Sequence, residues 1–484
     1  MCLILGTGAA ITLCCGFPQV RLLGKALRSF WMKFSGRGVE NGSSYRALCT
    51  ALAATVGTGN IAGVAGAIAI GGPGAIFWMW LSAFFGMATK FAESTLSVRF
   101  RVCGKDGLFR GGTMYMVRLG LGKKYQWLAG LYSFFGLFAA FGVGNATQIN
   151  AVMTALQEAG AQYGHSLPAG AAPVVGIVLG VVVMLWVSGG AKRIGSAAEC
   201  LVPVAAGAYI LVCLLAIWIR RDAVGDAIQN IFLGAFAPGA VTGGAVGSLM
   251  QTMRIGISRG VFTNEAGMGT ASMAHGGADV PHPVEQGLMG IVEVFLDTIL
   301  ICTLTALVIL TGGQEIPYGS DAGAALTARA LSAGLGTWVS AFLCACLCLF
   351  AVATILGWGL YAGRCGEFLL GGMNWKCFAL VQGLCVFLGA VLDTGIVWSL
   401  SELMNALMAF PNLIILLLLM PQLRHLTIEY TQQFKRGEPA AGGTYENFHQ
   451  CKPLSALSHE KVPSLRRGSG TEGQKNLPPE HRSA

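Results

Sequence analysis

Apolar runs of helix length recur through the first 425 residues, and they constrain the fold of this chain more than any other feature. A helix needs about 20 consecutive apolar residues to cross the hydrocarbon core of a bilayer. Only 11% of the residues are charged, whereas a soluble domain carries about 25%, so the chain cannot cover a surface that faces water. The sequence therefore predicts an all-α polytopic membrane protein with about eleven transmembrane helices in a lipid bilayer. The predicted spans lie at 1–20, 46–70, 74–98, 126–158, 171–190, 196–219, 244–274, 286–311, 336–362, 375–392 and 396–421.

The chain divides into a transmembrane domain at 1–425 and a polar tail at 426–484. Within the domain, residues 1–45 are expected to form a peripheral helix and a cytoplasmic loop, followed by two repeats at 46–220 and 244–421. The tail contains many Gly, Pro, Ser, Lys and Arg residues and too few apolar residues to build a core. We therefore expect the tail to be cytoplasmic and disordered.

Lysine and arginine are distributed unevenly between alternate loops. If the loop at 21–46 is cytoplasmic, most of the 32 Lys and Arg residues fall in cytoplasmic loops or the tail, and only Arg220, Arg221 and Arg329 fall on the opposite side. Because cytoplasmic loops of membrane proteins are enriched in these residues, we expect a multi-pass protein of the cell membrane. Its N-terminus would lie outside and its C-terminus in the cytoplasm. The formal charge of +9 is then a signal of topology, and no nucleic-acid partner is expected.

Two short segments interrupt apolar runs at corresponding places in the two halves of the chain. They are VGTGNI at 56–61 and TNEAGMG at 263–269. Ten predicted spans follow the first one, and five in each half would give the halves opposite orientations, which is an inverted repeat. Glycine and polar residues free backbone groups that hydrocarbon cannot satisfy. Such breaks in the first helix of each half indicate a binding site near the bilayer midplane of a secondary transporter.

An unwound helix can bind both an anionic group and a cation. Freed amides at the start of the second half-helix attract an anionic group such as a carboxylate. Freed carbonyls at the end of the first half-helix can bind a hard cation such as sodium. The alternative for 56–61 taken alone is glycine-mediated helix packing, and the matching break at 263–269 makes that alternative weaker.

Several longer motifs resemble one transporter family. The chain is similar to the alanine or glycine:cation symporters, also called sodium:alanine symporters, over about residues 1–425. This resemblance implies the leucine-transporter-like superfold with its 5+5 inverted repeat, in which the first helix of each half is broken. The motifs that carry it are TALAATVGTGNIAGVA at 50–65, GGPGAIFWMW at 71–80, GVFTNEAGMGT at 260–270, ILGW at 355–358 and NALMAFPNL at 405–413.

The resemblance also implies a set of substrate-binding residues. The amides around Thr58, Gly59 and Asn60 would receive the carboxylate of the substrate, and Gly267 in the second break belongs to the same set. Residues Gln148 and Trp358 would complete the pocket. From physical chemistry alone, a buried amide such as Gln148 could equally join helices or line a cavity. Likewise, Trp358 could be an ordinary packing residue instead of a wall that limits side-chain size.

The implied sodium site contains the carbonyls of Ala53 and Val56, with the hydroxyl of Thr354 opposite them. Family members often carry two adjacent hydroxyl residues near Thr354, whereas this chain has Ala353 at the preceding position. A water molecule or a further carbonyl would have to replace the missing hydroxyl.

Acidic residues within or beside the predicted spans are further candidates, because intramembrane carboxylates are functional hypotheses by default. The carboxylate of Glu265 could bind a cation, carry a proton or brace the unwound backbone, and we favour bracing together with Arg259. Residues Glu293 and Asp297 are four apart and share one helical face, as a charge site or as a hydrogen-bonded pair. The complete set is Glu93, Glu199, Glu265, Glu293 and Asp297.

These features together predict a symporter and not an enzyme. The chain would import a small neutral amino acid, alanine or glycine, coupled to sodium by alternating access. Sodium is the only expected ion, and no organic cofactor is expected. The alternative is proton coupling through Glu265 or Glu293. An enzyme is disfavoured because the sequence contains no His-Glu-x-x-His, no Gly-x-Ser-x-Gly and no phosphate-binding loop.

Overall fold

Helices account for nearly all of the chain that the computed structural model describes. The described residues are 1–35, 42–104, 107–168, 170–320, 323–392 and 394–436, so most of the predicted tail lies outside them. Two short strands, β1 at Val102–Cys103 and β2 at Phe109–Arg110, form an antiparallel pair in which Val102 is opposite Arg110.

The first part of the chain contains the predicted break at 56–61, where α4 and α5 are separated by a π-helical turn. The elements are α1 Cys2–Cys14, α2 Pro18–Arg21, α3 Leu23–Phe34, α4 Ser43–Thr55, a π-helical turn Gly59–Gly63, α5 Val64–Gly71, α6 Ala75–Arg99, α7 Thr113–Gly120, a 3-10 turn Lys123–Tyr125, α8 Gln126–Ala139, a π-helical segment Ala140–Ala146, α9 Thr147–Gln162, α10 Ala171–Val187 and α11 Gly190–Ile219.

The second part contains the predicted break at 263–269, which lies between α14 and α15. The elements are a 3-10 turn Arg221–Ala223, α12 Val224–Phe236, α13 Pro238–Val241, α14 Leu249–Asn264, α15 Thr270–His275, α16 Pro283–Val294, a π-helical segment Phe295–Cys302, α17 Thr303–Thr311, α18 Gly323–Leu335, α19 Trp338–Leu370, α20 Trp375–Val391 and α21 Thr394–Lys435.

Six helical stretches in the described residues are long and apolar enough to cross a membrane, and a seventh is the bent pair of α4 and α5. Three shorter apolar helices, α1, α10 and α20, accompany them. Every predicted span overlaps a helix, so the prediction of a mostly helical membrane protein is confirmed. The six stretches are Ala75–Arg99, Lys123–Gln162, Gly190–Ile219, Pro283–Thr311, Trp338–Leu370 and Leu403–Gln433.

The structure differs from the sequence prediction in two respects. Helices α12 and α18 were not predicted, because each has only 13 residues and mixes polar with apolar side chains, so neither forms a run of membrane-spanning length. The last helix continues to Lys435, past the boundary predicted at 425. The predicted span at 244–274 contains the expected break, since α14 ends at Asn264 and α15 begins at Thr270.

Close approach through small residues holds the bundle together. Helix α10 packs along α20, and a Cβ atom added at Gly180 of α10 would lie only 2.9 Å from the carbonyl oxygen of Gly383 of α20. Helix α6 packs between α14 and α16, which places the middle of α6 beside the second break. Membrane helices associate in this way because lipid provides no hydrophobic force between them.

Candidate functional site

The first break is held open by the side chain of Asn60, which lies within the break itself. Helix α4 ends at Thr55, and Val56 adopts an extended conformation with φ −77° and ψ 101°. The Gly57 amide donates to Asn60 Oδ1 at 2.8 Å. Asn60 Nδ2 donates to the carboxylate of Asp297 at 2.7 Å and to the carbonyl of the same residue at 3.1 Å. The side chain of Asn60 therefore satisfies one of the backbone groups that the break frees.

The second break needs backbone conformations that residues other than glycine rarely adopt. Gly267 and Gly269 have φ angles of 92° and 81°, and Glu265 has a φ of 54°. Glu93 Oε1, on α6, accepts hydrogen bonds from the amides of Gly267 at 3.0 Å and Gly269 at 3.1 Å. Asn412 Nδ2 donates to the same carboxylate oxygen and to the Gly267 carbonyl, both at 2.9 Å. A carboxylate on a neighbouring helix thus braces the unwound segment.

A cavity lies between the two breaks. Its empty space is about 250 Å³, including space that opens toward solvent. Thr58 Oγ1 donates to Gln148 Oε1 at 2.9 Å across one side of the cavity. The indole of Trp358 is fully buried and packs edge-on against Tyr361 at 5.7 Å between ring centroids. The lining residues are Ala54, Thr55, Gly57, Thr58, Gly59, Gln148, Phe262, Thr263, Glu265, Thr354 and Trp358.

The structure brings together four of the six residues expected to bind substrate: Thr58, Gly59, Gln148 and Trp358 all line the cavity. The other two, Asn60 and Gly267, do not. The backbone N–H of Asn60 already donates to the Gly57 carbonyl at 3.2 Å. It is therefore not the free backbone amide that was expected to receive the substrate carboxylate. A Cβ atom at Gly267 would lie 3.0 Å from a methyl group of Leu413, which places Gly267 against α21 and away from the cavity.

The residues expected to hold sodium lie at the end of α4. Thr354 Oγ1 donates to the Ala53 carbonyl at 3.0 Å, so these two oxygens lie within reach of one ion. A Cβ atom at Gly57 would lie 2.7 Å from Thr354 Oγ1, and only glycine permits this approach of α19 to the break. Val56 and Ala353 are both buried beside them. Oxygen is the ligand atom that hard cations prefer, so the carbonyl and hydroxyl fit a sodium ion.

The two acids expected to share a helical face have separate partners. Glu293 Oε1 accepts from Lys90 Nζ at 2.8 Å, and Glu293 Oε2 lies 3.1 Å from His275 Nε2. Asp297 binds Asn60, as described, and its Oδ2 accepts from the Thr298 hydroxyl at 2.7 Å. The first acid is part of a buried ion pair, and the second joins α16 and its π-helical continuation to the first break.

The expected bracing of the second break is made by Glu93, whereas Glu265 faces the cavity. Sequence reasoning listed Glu93 as an intramembrane acid without assigning it this role. Asn412 was also missed, although it lies inside the motif at 405–413, because the sequence does not show that this motif lies against 263–269. The cavity residues Phe262 and Thr263 lie in the quoted motif at 260–270 but were not named.

A chain of hydrogen bonds connects the buried ion pair to the peripheral helix α3. His275 Nδ1 lies 2.6 Å from Gln286 Nε2. Ser44 Oγ, at the start of α4, donates to Gln286 Oε1 at 2.5 Å. Lys33 Nζ, on α3, donates to Ser44 Oγ at 2.6 Å, and burial lowers the pKa of this lysine below its ordinary value. Helix α3 is therefore linked by side chains to the region that follows the second break.

Comparison with known proteins identifies the family. The model of the sodium:alanine symporter family matches residues 1–442. The chain is 40% identical to the sodium/alanine symporter AgcS of Methanococcus maripaludis, over 86% of this chain and 90% of that protein. It is 36% identical to the amino-acid carrier protein AlsT of Bacillus subtilis, over 90% of each.

An uncharacterized transporter of Haemophilus influenzae is 44% identical, over 90% of this chain and 93% of that protein. The crystal structure of MhsT in complex with L-phenylalanine matches with a TM-score of 0.57 at 15% identity, covering 77% of this chain and 88% of that chain. This likeness shows the fold alone, which is that of the leucine-transporter-like proteins. The chain is a multi-pass membrane transporter that belongs to the sodium:alanine symporter family.

Proposed function

We propose that this protein is a secondary symporter that imports a small neutral amino acid, alanine or glycine, together with sodium by alternating access. The observation that carries the proposal is the polar cavity between two broken helices, with the Ala53 carbonyl and the Thr354 hydroxyl at its edge. A site of this kind at the junction of two broken helices is typical of secondary transporters. Its relative AgcS of Methanococcus maripaludis is a sodium/alanine symporter, which supports this choice of substrate.

The carboxylate of the amino acid would lie at the first break, near the backbone of Thr58 and Gly59. Large side chains would be excluded because the opposite wall is already close. A Cβ atom at Gly59 would lie 2.9 Å from a methyl carbon of Thr263 and 3.7 Å from the ring of Phe262. The buried indole of Trp358 closes another side. These contacts favour alanine and glycine over larger neutral amino acids.

Sodium would bind at the end of α4, to the carbonyls of Ala53 and Val56 and the hydroxyl of Thr354. With Ala353 before it, Thr354 contributes the one side-chain oxygen at this point of α19. A bound ion would take the place of the Thr354–Ala53 hydrogen bond and fix α19 against α4. Stabilising the broken helix in this way would prepare the adjacent cavity for substrate, which couples the two cargoes.

We also propose the complete topology. One half would contain α4–α5, α6, α8–α9, α10 and α11, and the other α14–α15, α16–α17, α19, α20 and α21. With α1 these make eleven spans, and the two halves would be inverted relative to each other. The N-terminus would lie outside the cell membrane and the tail in the cytoplasm.

Proton coupling is the second candidate, and the position of Glu265 in the cavity lining favours it. A carboxylic acid that is protonated on one side of the membrane and released on the other could replace sodium as the driving ion. This candidate predicts uptake that follows a pH gradient and continues without sodium.

Uptake into proteoliposomes separates the candidates. Radiolabelled L-alanine and glycine would be supplied with an inward sodium, potassium or proton gradient imposed separately. Accumulation that requires inward sodium supports the symport proposal. Accumulation driven by the proton gradient without sodium would contradict the assignment of a sodium site at Ala53, Val56 and Thr354.

A further inference from the structure

We propose that helix α3 binds an anionic phospholipid at the membrane surface, with Arg28 as the contact to the headgroup phosphate and Trp31 as the anchor beside it. The occupant is a lipid of the bilayer, such as phosphatidylglycerol, and not a free phosphate ion. No residue of α3 lines the cavity between the two breaks. The proposal therefore goes beyond the proposed function and does not depend on it.

Helix α3 lies against the bundle and cannot cross a bilayer. Its 12 residues span about 18 Å, whereas the hydrocarbon core is about 30 Å thick. It packs against α16 and α4, where Lys33 Nζ donates to Ser44 Oγ at 2.6 Å. Lys25 Nζ lies 4.2 Å from the centre of the Tyr430 ring on α21. These contacts fix which face of α3 is turned toward the protein.

The opposite face of α3 is open and combines an arginine with aromatic side chains. Residues Gly24, Arg28 and Trp31 are four and three apart, so they share this face. A Cβ atom added at Gly24 would have no described atom within 4 Å, Arg28 is exposed, and Trp31 is 64% exposed. The ring of Phe34, also exposed, packs 5.9 Å from that of Trp31. An exposed aromatic cluster of this kind marks an interaction site.

The open face of α3 is continuous with a surface that faces lipid. Helix α1 is an apolar helix of the membrane domain and packs along α6 and α21. Exposed apolar side chains continue from Leu13 of α1 through Phe17 to Val20 of α2, and α3 begins at Leu23. The face of α3 therefore starts where the apolar surface of α1 ends, which is the level of the lipid headgroups. Tryptophan is enriched at this level of a membrane.

The charge of this region suits an anionic lipid. The first acidic residue of the sequence is Glu40, whereas Arg21 and Arg28 come before it and are both exposed. The two lysines of α3 differ from these arginines, because both lie near the carboxylate of Glu285, which balances their charge. A guanidinium group can bind a phosphate through two parallel N–H bonds. Exposed arginines beside an interfacial tryptophan thus match a headgroup phosphate in charge and in depth.

Native mass spectrometry of the purified full-length protein in a neutral detergent, titrated with phosphatidylglycerol or phosphatidylcholine, tests the proposal. We expect the wild type to prefer phosphatidylglycerol. Arg28→Gln should weaken its binding about fivefold, and the double variant with Arg21→Gln ~25-fold, while phosphatidylcholine binding stays unchanged. Arg28→Lys should keep most of the affinity. The matched control is Arg329→Gln, which removes an exposed arginine from α18, a helix without a large exposed apolar side chain among its described residues; it should bind like the wild type.

Two measurements on the wild type keep the test decisive if a variant does not fold. Higher ionic strength should weaken phosphatidylglycerol binding, because the arginines are exposed, and inorganic phosphate should not displace the lipid, because it makes no contact with Trp31. Equal binding of both lipids by the wild type, displacement by inorganic phosphate, unchanged binding in the double variant, or an equal loss in Arg329→Gln would each overturn the proposal. None of these measurements uses an amino acid or a sodium gradient, so their failure would leave the proposed function standing.

Discussion

The buried ion pair between Lys90 and Glu293 predicts a large loss of stability when one partner is removed. Both side chains are fully buried, with Lys90 Nζ 2.8 Å from Glu293 Oε1. Removing one partner of such a pair costs ~3–5 kcal/mol, because the remaining charge stays buried without compensation. His275 Nε2 lies 3.1 Å from Glu293 Oε2 and continues to satisfy one oxygen. We therefore expect Lys90→Met to lower the free energy of unfolding by about 3 kcal/mol, the lower end of that range.

Removing both charges should restore most of this stability. In the double variant Lys90→Met with Glu293→Gln, no uncompensated charge remains, and the new amide oxygen can still accept from His275. Replacing both members of a buried pair is often close to neutral, so we expect the free energy of unfolding of the double variant to lie within ~1 kcal/mol of the wild-type value. Arg46 and Glu199 form the control pair, at 3.0 Å with side chains 42% and 25% exposed. Arg46→Met should cost only ~0–1 kcal/mol.

Unfolding in mixed micelles with increasing SDS, followed by tryptophan fluorescence, would measure these differences. A loss of less than ~1 kcal/mol in Lys90→Met would contradict this prediction, since the pair would then contribute no more than an exposed one. A double variant no more stable than the single variant would contradict it as well.

Three further predictions concern other parts of the molecule. Thr354→Val removes the hydroxyl proposed to bind sodium and should raise the sodium concentration for half-maximal alanine uptake by ~10-fold, while Thr354→Ser should behave like the wild type. Gly180→Ala should destabilise the protein by ~1–3 kcal/mol in the same SDS assay, because the added Cβ atom would lie 2.9 Å from the Gly383 carbonyl oxygen. The control Gly130→Ala should leave the stability unchanged, because no atom lies within 4 Å of its added Cβ. Burial lowers the pKa of His282, in the loop before α16, to about 4 from 6.5. The unfolded chain therefore binds this proton at a higher pH than the folded chain, and stability should fall as the pH drops from about 6.5 to 4; an equal fall in His282→Asn would contradict the assignment.

The features that the sequence predicts best are those encoded by neighbouring residues. Apolar runs identified the helices, and the glycine-rich segments at 56–61 and 263–269 identified both breaks, because hydrocarbon penalises exposed backbone at any point in a span. The structure also places the Thr354 hydroxyl against the Ala53 carbonyl, while the binding of sodium by these two groups stays a prediction.

Contacts between distant parts of the chain were not predictable in the same way. The partner of Asn60 is Asp297, 237 residues away, and nothing in the local pattern shows which acid an amide will bind. Similarly, Glu93 and Asn412 brace the second break although they are 319 residues apart. The sequence identifies such groups as polar residues that need partners in lipid, but only the packing of the helices determines the pairs.

The hydrogen-bond chain from Lys33 to Glu293 has a consequence for leakage of protons. Ser44 donates to the oxygen of Gln286, and the nitrogen of Gln286 lies against His275. An amide has a separate acceptor and donor, so it cannot receive a proton at its oxygen and release another from its nitrogen without becoming an unstable tautomer. A hydroxyl or an imidazole at position 286 would allow such a transfer. We therefore expect Gln286 to interrupt proton transfer along this polar path, between the buried carboxylate of Glu293 and the side of the membrane where α3 lies.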